Sequence, residues 1–93
     1  MWAQRPSARR IGELYPERAS REGMGGRVEL DCSVRANLSL ACSVANESPT
    51  GLGFGRAAMS AAAAYRAREV LSDGSDAIGS RTRIVVQFQS PAN

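Results

Sequence analysis

Between Arg27 and Arg35 apolar and polar side chains alternate without a break: Val28, Leu30, Cys32 and Val34 on one side, and Arg27, Glu29, Asp31, Ser33 and Arg35 on the other. A period of two predicts a strand buried on one face. The alternation resumes with Leu38, Leu40, Cys42 and Val44 against Ser39, Ala41, Ser43 and Ala45, and Ala36-Asn37-Leu38 falls between the two runs as a turn. The pair predicts a β-hairpin. A third run from Arg81 to Gln89 sets Thr82, Ile84, Val86 and Phe88 against Arg83, Val85 and Gln87, which predicts a third strand.

The intervening segments change period. After the breakers Ser48-Pro49-Thr50-Gly51, Phe54, Ala58, Ala61, Ala62 and Tyr65 recur at helical spacing, which predicts a helix through about Arg68 that packs on the hairpin's apolar face. Its alanines favour helix and permit close approach to a sheet. Pro16, Glu17 in the first turn and Gly23 beyond the end predict a short helix from Pro16 to Glu22. Residues 1–14 read as an arm or a short helix capped near Ser7, and Ser72-Asp73-Gly74-Ser75-Asp76 as a loop. The order α-β-β-α-β predicts a two-layer α+β domain over 15–90, with helices on one face of a three-stranded antiparallel sheet and a polar opposite face.

Ninety-three residues suit one small core, and a hydrophobic share of 43% is adequate for it, although alanine supplies much of that share. Twelve basic residues, all arginine, against nine acidic ones leave a formal charge of +3. The arginines gather toward the start, at Arg5, Arg9, Arg10, Arg18, Arg21, Arg27 and Arg35. This reads first as a solvated basic face. Nucleic-acid binding is disfavoured because Glu29 and Asp31 interrupt that face and no aromatics interleave to stack bases. The apolar run at Ala61 to Tyr65 is far short of the ~20 residues that span a bilayer, and the chain reads either as a fragment of a longer anchored protein or as a free-standing domain.

The chain has no histidine, which removes the commonest proton shuttle and metal ligand, so no metal or other cofactor is expected. Glu17, Glu22, Glu29, Asp31 and Glu47 scatter without forming a pair suited to acid-base work, and an enzyme is not expected. Setting Val34 opposite Leu40 in the hairpin places Leu30 opposite Val44 and Cys32 opposite Cys42. Directly opposed residues lie within disulfide reach. Cys32 and Cys42 are therefore either bridged or two reduced thiols serving as small core hydrophobes; with no Cys-x-x-Cys spacing, a redox-catalytic role is not expected.

Several segments, taken in order, resemble the C-terminal domain of TonB-family energy transducers. They are Leu14-Tyr15-Pro16-Glu17-Arg18-Ala19, Gly26-Arg27-Val28-Glu29-Leu30, Glu47-Ser48-Pro49, Gly51-Leu52-Gly53-Phe54-Gly55-Arg56-Ala57-Ala58 and Thr82-Arg83-Ile84-Val85-Val86-Gln87-Phe88. Tyr15, Pro16, Gly26, Gly53, Phe54 and Gly55 form the structural part of the resemblance. The chain departs from well-known members in having Leu14 where they carry glutamine and Ala67 where relatives often carry an aromatic. The resemblance implies a periplasmic domain, tethered to the inner membrane within a longer parent protein and driven by the ExbB and ExbD proton motor. It would bind the TonB box of an outer-membrane transporter by β-strand addition along Thr82, Arg83, Ile84, Val85, Val86, Gln87 and Phe88, transmitting energy for transport. On that expectation Ile84→Pro weakens the zipper. A periplasmic adaptor binding another envelope protein through the same fold is the alternative, and a homodimer through the exposed edge is a further expectation.

Overall fold

A computed structural model describes residues 2–89. Met1 of the arm and position 90 of the domain anticipated over 15–90 lie outside the described residues. The chain runs β1 (Trp2–Gln4), α1 (Ala8–Glu13), α2 (Glu17–Arg21), β2 (Gly26–Val34), β3 (Leu40–Ser48), α3 (Phe54–Ala62), β4 (Arg66–Ala67) and β5 (Arg81–Phe88). The architecture is α+β: helices pack on a three-stranded antiparallel sheet of order β3-β2-β5, and β1 and β4 form a second, two-stranded sheet.

The hairpin has the register its pattern predicts, with Val34 opposite Leu40, Cys32 opposite Cys42 and Leu30 opposite Val44. Its turn is tight. The Leu38 amide donates to the Arg35 carbonyl at 2.8 Å and the Arg35 amide to the Ser39 carbonyl at 2.8 Å. Leu38 takes the left-handed position (φ 70°) that glycine or asparagine usually fills. The Asn37 side chain holds the corner by accepting the Ser39 amide at 3.0 Å. Farther along, Glu29 faces Asn46 while Leu30 faces Val44, so Ala45 is an extra residue in the ladder, a β-bulge. The alternation flips there, turning Glu47 toward the helical layer opposite Val28.

The bond from Arg35 to Ser39 makes that pair a hydrogen-bonded one, and antiparallel ladders alternate, so Cys32 and Cys42 occupy a non-hydrogen-bonded pair, where side chains approach most closely. Of the two states open from the sequence the structure has the bridge: their Cα atoms are 4.0 Å apart and the sulfurs are bonded. Cys32 is buried and Cys42 half-buried.

Phe54 organises the core. Its side chain is fully buried, with the Phe88 ring at 5.3 Å and the Tyr15 ring edge-on at 5.8 Å. The Tyr15 hydroxyl donates to the Met24 carbonyl, which anchors the chain entering β2. Two close approaches explain glycines in the motifs. A Cβ at Gly55 would lie 2.5 Å from the Glu47 carboxylate, and one at Gly26 would lie 2.6 Å from the Phe54 ring. The carboxylate end of Glu47 can swing away; the ring, walled in by Tyr15 and Phe88, has nowhere to go. Gly26→Ala is therefore expected to cost about 1–3 kcal/mol by overpacking, measured by urea denaturation. An unchanged midpoint would mean that the ring repacks freely.

One sequence expectation needs correction. The helix does not continue to Arg68; it stops at Ala62, and Ala63, Ala64 and Tyr65 donate to carbonyls three residues back in a tightening final turn. Tyr65 is buried, but outside the helix, with the Trp2 ring edge-on at 4.8 Å, and Ala67 then pairs with Trp2. Contacts with a distant segment override the helical preference of the alanine run. Within residues 1–14 the short helix capped at Ser7 is present as α1, and β1 before it pairs with β4. The short second helix spans Glu17–Arg21 with Pro16 and Glu22 as its caps, and Gly23 beyond it has φ 68°. The expected loop at 72–76 is closed by a bridge between Val70 and Asp76. No helix among the described residues is long and apolar enough to cross a membrane.

Candidate strand-docking edge

In the order β3-β2-β5 both outer strands have one side without a paired strand among the described residues. The two edges differ. β3 carries the bulge at Ala45 and runs into Pro49, features that interrupt or blunt an edge. β5 pairs with β2 from Arg81 to Phe88 without a register shift, so its free side is a regular row.

The orientation of that row follows from the ladder. Val34 donates to the Ser80 carbonyl at 3.0 Å, and from there the β2–β5 register continues in step. Residues of a hydrogen-bonded pair direct both their amide and carbonyl toward each other. Thr82, Ile84, Val86 and Phe88 therefore bond inward to β2, while Arg81, Arg83, Val85 and Gln87 direct their amides and carbonyls outward. The side chains split the same way. Ile84, Val86 and Phe88 are buried in the core, whereas Arg83, Val85 and Gln87 are exposed.

This division sorts the seven positions singled out from sequence. All lie on the edge strand, but only Arg83, Val85 and Gln87 offer unpaired backbone; Thr82, Ile84, Val86 and Phe88 hold the strand in place. The expectation for Ile84→Pro is corrected accordingly. Ile84 is 6% exposed and its amide faces Leu30, so proline there would open the sheet itself.

Beside the far end of β5 lies a groove of about 400 Å³, walled by Ala8, Ile11 and Gly12 of α1 and by Tyr15, with Gln87, Phe88 and Gln89 on the strand side. α1 is set in place by its Ser7 cap, which accepts the Arg10 amide at 3.0 Å, and by Ile11, which packs against the core. A Cβ on Gly12 would meet nothing within 4 Å. The α1 part of this wall was not among the residues singled out from sequence, although Ser7 followed by Ile11 and Leu14 at helical spacing was a visible signal for it.

On the opposite face, Arg83 ties β5 to β2. Its guanidinium reaches the Asp31 carboxylate at 2.8 Å and Glu29 at 3.6 Å, and Arg27 reaches Glu29 at 2.6 Å. The hydrogen bond from Arg83, reinforced by the positive charges of Arg83 and Arg81, holds the Asp31 carboxyl below its ordinary range, and the hydrogen bond to Asp31, with the negative charges of Asp31 and Glu29, holds Arg83 above its own.

The remaining motif residues are structural. Pro16 lies under Gly53, which has φ 91°, a conformation natural to glycine. Tyr15 and Phe54 extend this contact into the core, so the Tyr-Pro and Gly-Phe-Gly segments meet each other. Cys32 and Cys42 sit on the helical side of the hairpin, away from the β5 edge. Among the described residues no group of three or more acidic, cysteine or histidine side chains is placed to hold a metal ion.

Fold and edge together define a two-layer α+β domain with a regular outer strand, unpaired on one side among the described residues and flanked by a groove. Neither a scan against protein-family models nor a search of curated proteins finds a match to this sequence.

Proposed function

We propose that the domain binds an extended peptide by strand addition along β5, and that the peptide is the TonB box of an outer-membrane transporter. The domain then acts as the periplasmic part of a TonB-type energy transducer, pulled through a membrane-anchored parent protein by the ExbB/ExbD motor. The observation that carries the reading is the outward row of amides and carbonyls at Arg81, Arg83, Val85 and Gln87 on a strand that has no partner on that side among the described residues. An added strand satisfies those groups, and its side chains on the helical side meet the groove beside Tyr15 and Phe88. Each main-chain bond contributes only about 1 kcal/mol net, so a short zipper less its ordering cost gives micromolar rather than picomolar binding. Such a grip can be released and remade.

The test is an NMR titration of the labelled domain with TonB-box peptides, comparing the native chain with Val85→Pro and Gly12→Leu. Val85→Pro removes an outward donor at an exposed edge position, where proline is tolerated, and is expected to weaken binding roughly tenfold. Gly12→Leu fills the groove from α1 without touching the sheet, and should weaken peptides carrying a bulky side chain on that side. Amide shifts confined to β5 and α1 support the proposal. Shifts that follow β3 instead, or a folded Val85→Pro variant with undiminished affinity, would overturn it.

A further inference from the structure

The polar face of the sheet holds a group of side chains that strand addition at the edge does not use. Across the three strands, Ala41, Ser33 and Arg81 form one row and Ser43, Asp31 and Arg83 the next. Arg35 stands just beyond, where β2 enters the hairpin turn. Arg35, Arg81, Ser33, Ser43 and Asp31 border one shallow depression of about 330 Å³. The acidic charge here is already engaged: Asp31 is bound by Arg83 at 2.8 Å, and Glu29 by Arg27 at 2.6 Å. Arg35 and Arg81 take part in no ion pair among the described residues. Three guanidinium groups (Arg35, Arg81 and Arg83) against one carboxylate (Asp31) leave a local excess of two positive charges over the depression.

We propose that this depression is an oxyanion site suited to a phosphate group. Guanidinium forks match phosphate oxygens bidentately, and two forks with hydroxyl donors at neighbouring sheet positions suit a tetrahedral dianion better than a planar carboxylate with two oxygens. Ser33 stands on the central strand in the row of Arg81, and Ser43 on β3 in the row of Asp31, so the sheet spaces the hydroxyl donors. Asp31 sets the site's limit. Its paired carboxylate keeps an anion on the Arg35–Arg81 side and repels one that moves toward Arg83. The phosphate can be free or the headgroup of an anionic lipid, since the same donors serve both.

The experiment is an NMR titration of the 93-residue chain with inorganic phosphate at low ionic strength, against sodium chloride at matched ionic strength. Binding with Kd on the order of 1 mM is expected for an exposed site of this charge, weakening steeply with salt. Shifts should centre on Ser33, Arg35, Ser43 and Arg81. Arg35→Gln and Arg81→Gln should each weaken binding roughly tenfold, the loss of one charge-assisted contact. Asp31→Asn should tighten it, and Arg18→Gln on α2 should leave it unchanged. In a second arm, cosedimentation with phosphatidylglycerol vesicles but not phosphatidylcholine vesicles, lost in the Arg35 and Arg81 variants, assigns the phosphate to a lipid headgroup; phosphate binding without vesicle binding assigns it to a free ligand. Shifts spread evenly over the arginines, or equal weakening by Arg18→Gln, would reduce the site to general charge attraction and overturn the proposal.

Discussion

Truncating Phe54 to alanine is expected to lower the stability of the domain by about 3–5 kcal/mol, the range for a large aromatic removed from a closed core. The ring is fully buried and touches three separate parts of the chain: Tyr15 before the sheet, Phe88 at the end of β5, and Gly26 at the start of β2. Alanine would leave a void between elements that cannot collapse together, because α3 already lies close to the sheet through Ala58, Ala61 and Ala62. For a domain of this size each kcal/mol moves the midpoint by about 4–8 °C, so the variant should melt at least ~12 °C lower or fail to fold. Coupling gives a sharper check. If Gly26 is glycine only because of the ring, Gly26→Ala should cost much less in a Phe54→Leu background than in the native one, and a double-mutant cycle by urea denaturation measures the difference. Additive costs would show that Gly26 is required for another reason.

The parts of the fold that were legible in sequence are those where a mistake would have been physically expensive. Val28, Leu30, Cys32 and Val34 fix the face of β2, and a slip of one residue would place all four in water, so the hairpin register followed from the pattern. Even Leu38 in a left-handed conformation did not shift it. The end of α3 was not legible for the opposite reason. Ala63 and Ala64 are good helix formers, and nothing local stops them; the stop comes from Trp2, more than sixty positions away, which meets the Tyr65 ring edge-on and pairs with Ala67. The candidate edge was legible as a strand but not as an edge with a direction. Which of Thr82 to Phe88 face outward with their backbone depends on the ladder set by Val34 and Ser80, and the groove wall on α1 depends on a helix whose apolar positions are only Ala8 and Ile11.

Reducing the Cys32–Cys42 bridge is expected to destabilise the domain by about 2.5–3 kcal/mol, the loop-closure value for cysteines separated by 10 residues. Reduction is a cleaner test than substitution. Replacing Cys32 by alanine would also open a gap in the core, whereas the reduced thiol keeps nearly all of the sulfur's packing, so the difference between oxidised and reduced protein isolates the crosslink. The loss should be uneven. β3 is held by the bridge, by β2 and by α3, but beyond Cys42 its residues Ser43 to Asn46 are exposed and the Ala45 bulge interrupts the ladder. β5 is held independently through its unbroken register with β2 and the Arg83–Asp31 pair. Hydrogen exchange after reduction should therefore accelerate first along Ser43 to Ser48, leaving Thr82, Ile84 and Val86 protected until global unfolding. Affinity for a peptide at the β5 edge should stay the same as long as the reduced domain remains folded. If exchange rose equally on β3 and β5, the two edges would be one cooperative unit, and binding at β5 would become sensitive to the redox state of a bond on the other side of the sheet.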